Sequence, residues 1–291
     1  MTLYTENEER QLLLARVASL YYESGLNQQQ IADTLEVSRS AVSRFLTEAR
    51  ERGIVEIFVH YPWRTVKGLE EKLKGCFDLE EVRVLAREGR SYDEMLQNLG
   101  TLAAEELEKR LQPQSRIGIA WGTALYQLIR FVRPHRLPGI EVVQMIGATG
   151  SDQKMSTDGP ILAQLLAGRL GGTYRHLHAP LILDSAEAHE ALLRDKNITE
   201  TLNRAAHADI AVIGIGSTRP DLYSLLRAGY ADEEETAEIR KRGAIGDICG
   251  KHFDIRGNEL DIDISRRSIG ISLDALKRIP RVMGIAGGEA K

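Results

Sequence analysis

The chain has 291 residues, 43% hydrophobic and 27% charged, with a net charge of -4. This excludes a disordered chain and fits one small and one ordinary-sized domain with ample length for a core. No apolar run approaches a membrane span, and MTLYTENEER carries acids where a secretion signal needs Lys or Arg. Cys76 and Cys249 are too few for a disulfide framework or a metal site. The expectation is a cytoplasmic protein without metal or cofactor, each cysteine a buried reduced thiol.

Residues 27–53, NQQQIADTLEVSRSAVSRFLTEARERG, read as a helix-turn-helix. Asn27 can cap a first helix whose Ile31, Ala32 and Leu35 share a face. Val37 falls in the turn and Ser38 can cap a second helix with Ala41, Val42, Phe45, Leu46 and Ala49 as its buried stripe. Arg39, Ser40, Ser43, Arg44 and Thr47 then face outward. Arg can hold a guanine edge bidentately, Ser can bond base edges or phosphate, and the first turn of such a helix reaches bases. Ser38, Arg39, Ser40, Ser43 and Arg44 are therefore the expected contacts to double-stranded operator DNA, with Gln28 and Gln29 as phosphate anchors.

Residues 1–60 hold Arg10, Arg16, Arg39, Arg44, Arg50 and Arg52, but also Glu6, Glu8, Glu9, Glu23, Asp33, Glu36, Glu48, Glu51 and Glu56. The segment is acidic overall, so modest affinity per copy and binding by several copies together are expected. After Gly53, IVEIFVH suggests a short strand, as in a winged arrangement, and Tyr61-Pro62-Trp63 marks a boundary between domains at 1–60 and 61–291.

Beyond the boundary, strand-like LEEVRVLA is followed by helical SYDEMLQNLGTLAAEELEKRL. SRIGIA, a helix from Thr123, IEVVQMIGA, helical PILAQLLAGRLG and ADIAVIGIG come next. Apolar strands separated by helices predict an α/β domain with a largely parallel sheet. In such sheets ligands sit at the carboxyl ends of the strands. The strand at 116–120 runs into Trp121-Gly122-Thr123-Ala124, that at 210–213 into Gly214-Ile215-Gly216-Ser217-Thr218, and that at 142–146 into Gly147-Ala148-Thr149-Gly150. The amides of these turns can cradle a small anion at a positive helix end, although glycine also serves tight turns without any ligand. Neither G-x-G-x-x-G nor G-x-x-x-x-G-K-[ST] occurs, which removes support for dinucleotides and nucleoside triphosphates.

Asp247, in the apolar glycine-rich stretch GAIGDICGKHFD, can accept from sugar hydroxyls or serve as a turn aspartate. Lys291, after Gly287-Gly288, can counter a phosphate or be solvated. His176, His178, His189 and His207 lack acidic or cysteine partners at ligand spacing and read as surface or turn residues. The acidic run from Asp232 to Glu235 reads as the first turn of a helix continuing through Arg240.

YYESGLNQQQIADTLEVSRSAVSRFLTEARERGIV, IGIAWGT, ADIAVIGIGS, GAIGDICGKHFD and PRVMGIAGGEAK, in this order, resemble the SorC family of bacterial sugar-responsive transcription regulators over essentially the whole chain. The resemblance implies an effector domain of the sugar-phosphate isomerase and deaminase fold. It also implies a homodimer or homotetramer whose operator affinity changes with a sugar or phosphorylated sugar. Gly122, Thr123 and Ala124 match the family's phosphate-side turn, Gly214, Gly216 and Ser217 its second turn, Asp247 its Gly-Asp, and Lys291 the Lys after its Gly-Gly. A further helix, strand and helix beyond that lysine are also implied and are not in this sequence. The alternative is a sugar-phosphate isomerase or deaminase carrying a DNA-binding appendage, with Asp247, Asp254 and Lys154 as acid and base candidates.

Overall fold

The computed structural model describes residues 6–55, 57, 63–87, 89, 91–150 and 157–288. The chain divides into two compact units, Met1–Tyr61 and Pro62–Lys291.

In the first unit, α1 (Glu6–Tyr22), α2 (Gln28–Leu35) and α3 (Arg39–Glu51) surround a small core of Val17, Ile31, Ala32, Val42 and Leu46. The boundaries follow from local chemistry. Asn27 accepts the N–H groups of Gln29 and Gln30 while the Gln30 side chain returns to the Asn27 N–H, a reciprocal cap. Glu36 takes a left-handed conformation (φ 54°) that ends α2, and Ser38 caps α3 by accepting from the Ala41 N–H. Ile54 and Val55 pack with Leu14, Ala18 and Ala49. Most of the strand expected at 54–60 lies outside the described residues.

The second unit begins with α4 (Lys67–Phe77) and α5 (Tyr92–Glu108). There follow β1 (Arg116–Ile119), α6 (Thr123–Phe131), β2 (Glu141–Gln144), α7 (Gly159–Leu170), β3 (Thr173–Arg175), α8 (Ala186–Leu192), α9 (Lys196–Ala206) and β4 (Ile210–Gly214). The chain then forms α10 (Ser224–Arg227), α11 (Glu233–Lys241), the hairpin β5 (Gly246–Ile248) and β6 (Lys251–Phe253), α12 (Asp263–Arg267), α13 (Leu273–Lys277) and β7 (Arg281–Ile285).

Five strands form one sheet in the order β3-β2-β1-β4-β7, every neighbouring pair parallel. The central strands are buried on both faces: Ile117, Ile119, Val142, Val143 and Val212 have no exposure. Helices α5 and α6 approach so closely that a methyl group at Gly100 would lie 2.6 Å from the Gln127 backbone carbon. Gly100→Ala is therefore expected to lower unfolding free energy by about 1–3 kcal/mol, read by denaturant titration.

Two expectations need correction. Residues 79–86 form no strand; Leu85 makes one isolated antiparallel bridge with Thr65, outside the main sheet. Cys76 is exposed rather than buried, whereas Cys249 is buried. His176 and His178 follow β3.

Candidate functional site

Helix α3 separates its two faces cleanly. Val42 and Ala49 are fully buried and Leu46 nearly so, while Arg39, Ser40, Ser43, Arg44 and Thr47 are exposed. The Ser38 hydroxyl is the helix cap and lies 3.0 Å from that of Ser40. Gln28 is half-buried, and exposed Gln29 donates to Asp33 at 2.8 Å. The nearest acid on α3, Glu48, is bound by Arg10 and lies 2.8 Å from Arg52. Hydrogen bonding from Arg10 holds its carboxyl below the usual range, so its negative charge is matched within the unit.

In the second unit, the chain leaves β1 toward β2 on one side and returns from β3 to β4 on the other. This puts a topological switch point at the carboxyl ends of β1 and β4, where open α/β sheets bind ligands. Gly122 adopts φ 123°, a conformation open to glycine, and gives its N–H to the Thr157 carbonyl at 3.0 Å. It starts α6 with no side-chain cap, leaving the first-turn amides of Thr123 and Ala124 at the positive end of the helix. Thr123 is exposed and Ala124 half-buried. Gly214 lies against this turn: a methyl group there would meet the Trp121 carbonyl and the Leu125 side chain at 3.5 Å.

The second turn differs in role from the first. Gly216 gives its N–H to the Asp247 carbonyl at 2.9 Å, Ile215 to Ile285 and Thr218 to Ile245. Gly216 is required because the Asp247 carboxylate occupies the place of a side chain there. Ser217 is buried and its hydroxyl accepts the Arg219 N–H at 3.3 Å. The third turn corrects the expectation for Gly147. Its N–H goes to Ile269, that of Ala148 to Ala179 and that of Thr149 to the Asp158 carboxylate, so none is offered outward. Gly147 is a packing glycine, since a side chain would collide with the Pro180 carbonyl. Lys291 and Lys154 lie outside the described residues. Asp254 is bound within its own loop, accepting from the N–H groups of Arg256 and Asn258.

The sequence reading missed the buried polar cluster behind Asp247. Asp247 is 4% exposed and pairs in register with His252 across the β5–β6 hairpin. Tyr223 Oη lies 2.6 Å from His252 Nε2, and His252 Nδ1 lies 3.0 Å from Ser265 Oγ. Lys251 Nζ donates to the carbonyls of Ser265 and Ser268. Tyr223 is pushed upward by burial and then by Asp247. Burial first, and Lys251 second, lower His252 to about 4.

The unfolded chain therefore binds a proton near pH 6.5 that the folded chain refuses until about pH 4. Stability from this group is complete above about pH 6.5 and falls as pH drops through that window, by about 1.4 kcal/mol per unit. Denaturant titrations at about pH 7 and pH 5 should differ by about 2 kcal/mol more in the native protein than in His252→Gln. Asp247, Lys251 and His252 share the stretch GAIGDICGKHFD, but Tyr223, Ser265 and Ser268 come from elsewhere in the chain. The one available signal was the density of polar residues in an otherwise apolar stretch.

Of the remaining histidines, His176 and His178 have ring centroids 6.1 Å apart, and His189 adjoins Lys251 and Ser268 of this cluster. His207 Nδ1 lies 2.8 Å from the Asn203 carbonyl at the end of α9, and His176 packs against the Tyr174 ring at 4.6 Å. No helix among the described residues is long and apolar enough to cross a membrane.

Residues 63–291 match the family model described as "Putative sugar-binding domain". The chain is 33% identical to the deoxyribonucleoside regulator of Bacillus subtilis (strain 168), over 98% of this chain and 90% of that protein. It is 30% identical to the sorbitol operon regulator of Klebsiella pneumoniae, over 98% and 91%. The crystal structure of the full-length sorbitol operon regulator SorC from Klebsiella pneumoniae superposes with a TM-score of 0.71 at 29% identity, covering 96% of this chain and 89% of that one. These relatives are transcriptional regulators, and this chain belongs to their family, the SorC family of sugar-binding transcriptional regulators.

Proposed function

We propose that the chain is a cytoplasmic, homo-oligomeric repressor or activator whose operator binding is controlled by a sugar or phosphorylated sugar. Unit 1 is read as a winged helix-turn-helix domain, α3 as its recognition helix and the segment after Gly53 as its wing. Arg39, Ser40, Ser43 and Arg44 reach bases, while Ser38, Gln28 and Gln29 steady the phosphates. Unit 2 is read as an effector domain of the isomerase and deaminase type, without turnover.

The observation that carries the effector reading is the uncapped start of α6 at the switch point of the sheet. The uncapped start of α6 offers amides and the Thr123 hydroxyl to an anionic group, while Asp247 is held against Gly216 beside the neighbouring turn. A helix amino terminus suits phosphate, and a carboxylate suits sugar hydroxyls. Gly214, Gly216 and Ser217 shape this site, and Lys291 is assigned to its phosphate side. The ligand shifts DNA affinity through differential binding to two protomer arrangements, by about 1–3 kcal/mol in a typical case.

Gel-shift titration of operator DNA with phosphorylated polyols and pentoses, the classes suggested by the relatives' names, tests this reading. A shifted operator curve is expected with at least one ligand, and an unchanged curve with all of them overturns the effector half. Incubation with ribose 5-phosphate or glucosamine 6-phosphate should yield no product; turnover would favour an enzyme.

A further inference from the structure

Helix α4 lacks most of what stabilises a short helix within one chain. Its N-cap residue, Val66, supplies no capping side chain. Gly68 and Gly75 lie inside it with open space around each, and an interior glycine costs a helix about 1 kcal/mol. At 11 residues it is shorter than an isolated helix that holds in water. Its one buried residue is a carboxylate: Glu70, 8% exposed, accepts the Val84 N–H at 3.0 Å and lies 4.0 Å from Arg83.

The apolar side chains instead face water. Leu69 is 47% exposed, Leu73 37% and Phe77 67%, with Leu79 just beyond the helix at 44%. Val66, Leu69, Leu73 and Cys76 follow one another at steps of three, four and three residues, the a/d seam of a coiled coil, and Phe77 flanks it. Lys67, Glu71 and Lys74 fall on the opposite side of the helical wheel.

We propose that α4 pairs in parallel with α4 of a second copy of this chain across a two-fold axis. The seam is self-complementary, with an apolar residue or a thiol at each a and d position and no charge among them. A two-fold partner also fits a protein that presents paired recognition helices to half-sites, and here the proposal rests on the functional reading above. Three turns of helix bury less than the roughly 800 Å² per partner of a stable interface, so α4 is one part of a larger contact.

Cys76 makes the proposal testable in the full chain. A two-fold axis along the seam brings the two Cys76 residues toward the Cα separation of about 4.4–6.8 Å that a disulfide needs. Cys249, 2% exposed, stays out of reach. Mild oxidation is expected to give a disulfide-linked dimer that Cys76→Ser abolishes.

The double substitution Leu69→Glu and Leu73→Glu changes exposed positions. It should weaken association about tenfold or more in sedimentation velocity, with the circular dichroism spectrum and Tm retained. An oligomer that neither crosslinks through Cys76 nor responds to the double substitution overturns the α4 interface and leaves the functional reading standing. A native chain that sediments as a monomer at every concentration overturns both this interface and the assembly part of that reading. A monomer whose Tm falls with the double substitution assigns the seam to another segment of the same chain, and also overturns the proposal.

Discussion

Replacing Arg39 and Arg44 by alanine is expected to weaken specific operator binding by about 1–3 kcal/mol for each guanidinium that holds a guanine edge. The double variant should lose most discrimination between operator and unrelated DNA. Both side chains are exposed on α3, Arg44 on the face opposite Val42, Leu46 and Ala49 and Arg39 at the first residue of the helix. The change should therefore leave the thermal unfolding curve within about 0.5 kcal/mol of the native protein. Gel-shift titrations against operator and scrambled duplexes at fixed salt read the result. Equal losses on both duplexes would identify the two residues as phosphate contacts, and unchanged affinity would move the recognition surface elsewhere.

The second large effect is expected at Gly216. An alanine methyl group would fall on the Asp247 carboxylate and push the β5–β6 hairpin off the turn after β4. Stability should drop by about 1–3 kcal/mol from overpacking, and effector binding should be lost even where the protein remains folded. Asp247→Asn separates the two consequences. It keeps the shape but removes the charge, so Tm should hold while sugar-phosphate affinity falls by about 1.5–3 kcal/mol, the range of a hydrogen bond to a charged group. Calorimetric titration of both variants checks this, and native-like affinity in Asp247→Asn would remove the carboxylate from the site.

How far the sequence revealed the structure depended on how local each signal was. Asn27 and Ser38 were legible as caps because capping is decided within three residues, and the stripe from Ala41 to Ala49 because its period is helical. The strands near residues 117, 142 and 211 were legible as apolar runs of strand length between helices. The β5–β6 hairpin was not, because three-residue strands carry no period and its turn places Cys249 at φ 52°, where Asn is more usual than Cys. Helix α4 was missed because its two glycines lower its propensity.

At the site, glycine-bearing turns were visible, but the acceptor of each N–H was not. Gly122, Gly147 and Gly216 look alike in sequence. They differ because Thr157, Ile269 and Asp247 arrive from elsewhere in the chain to take their amides.

The strand order also bears on how the chain is made. Strand β1 pairs on one edge with β2, which follows soon after it, but its other edge waits for β4 at Ile210–Gly214. During synthesis the first three strands and their helices can condense early, leaving the edge at Ile117, Gly118 and Ile119 without its partner until much later. An apolar edge held open in a nascent chain is a template for pairing with other chains. Chains arrested before residue 210 should aggregate or recruit holdase chaperones, and protection of this edge from cotranslational proteolysis should appear only once β4 has left the ribosome.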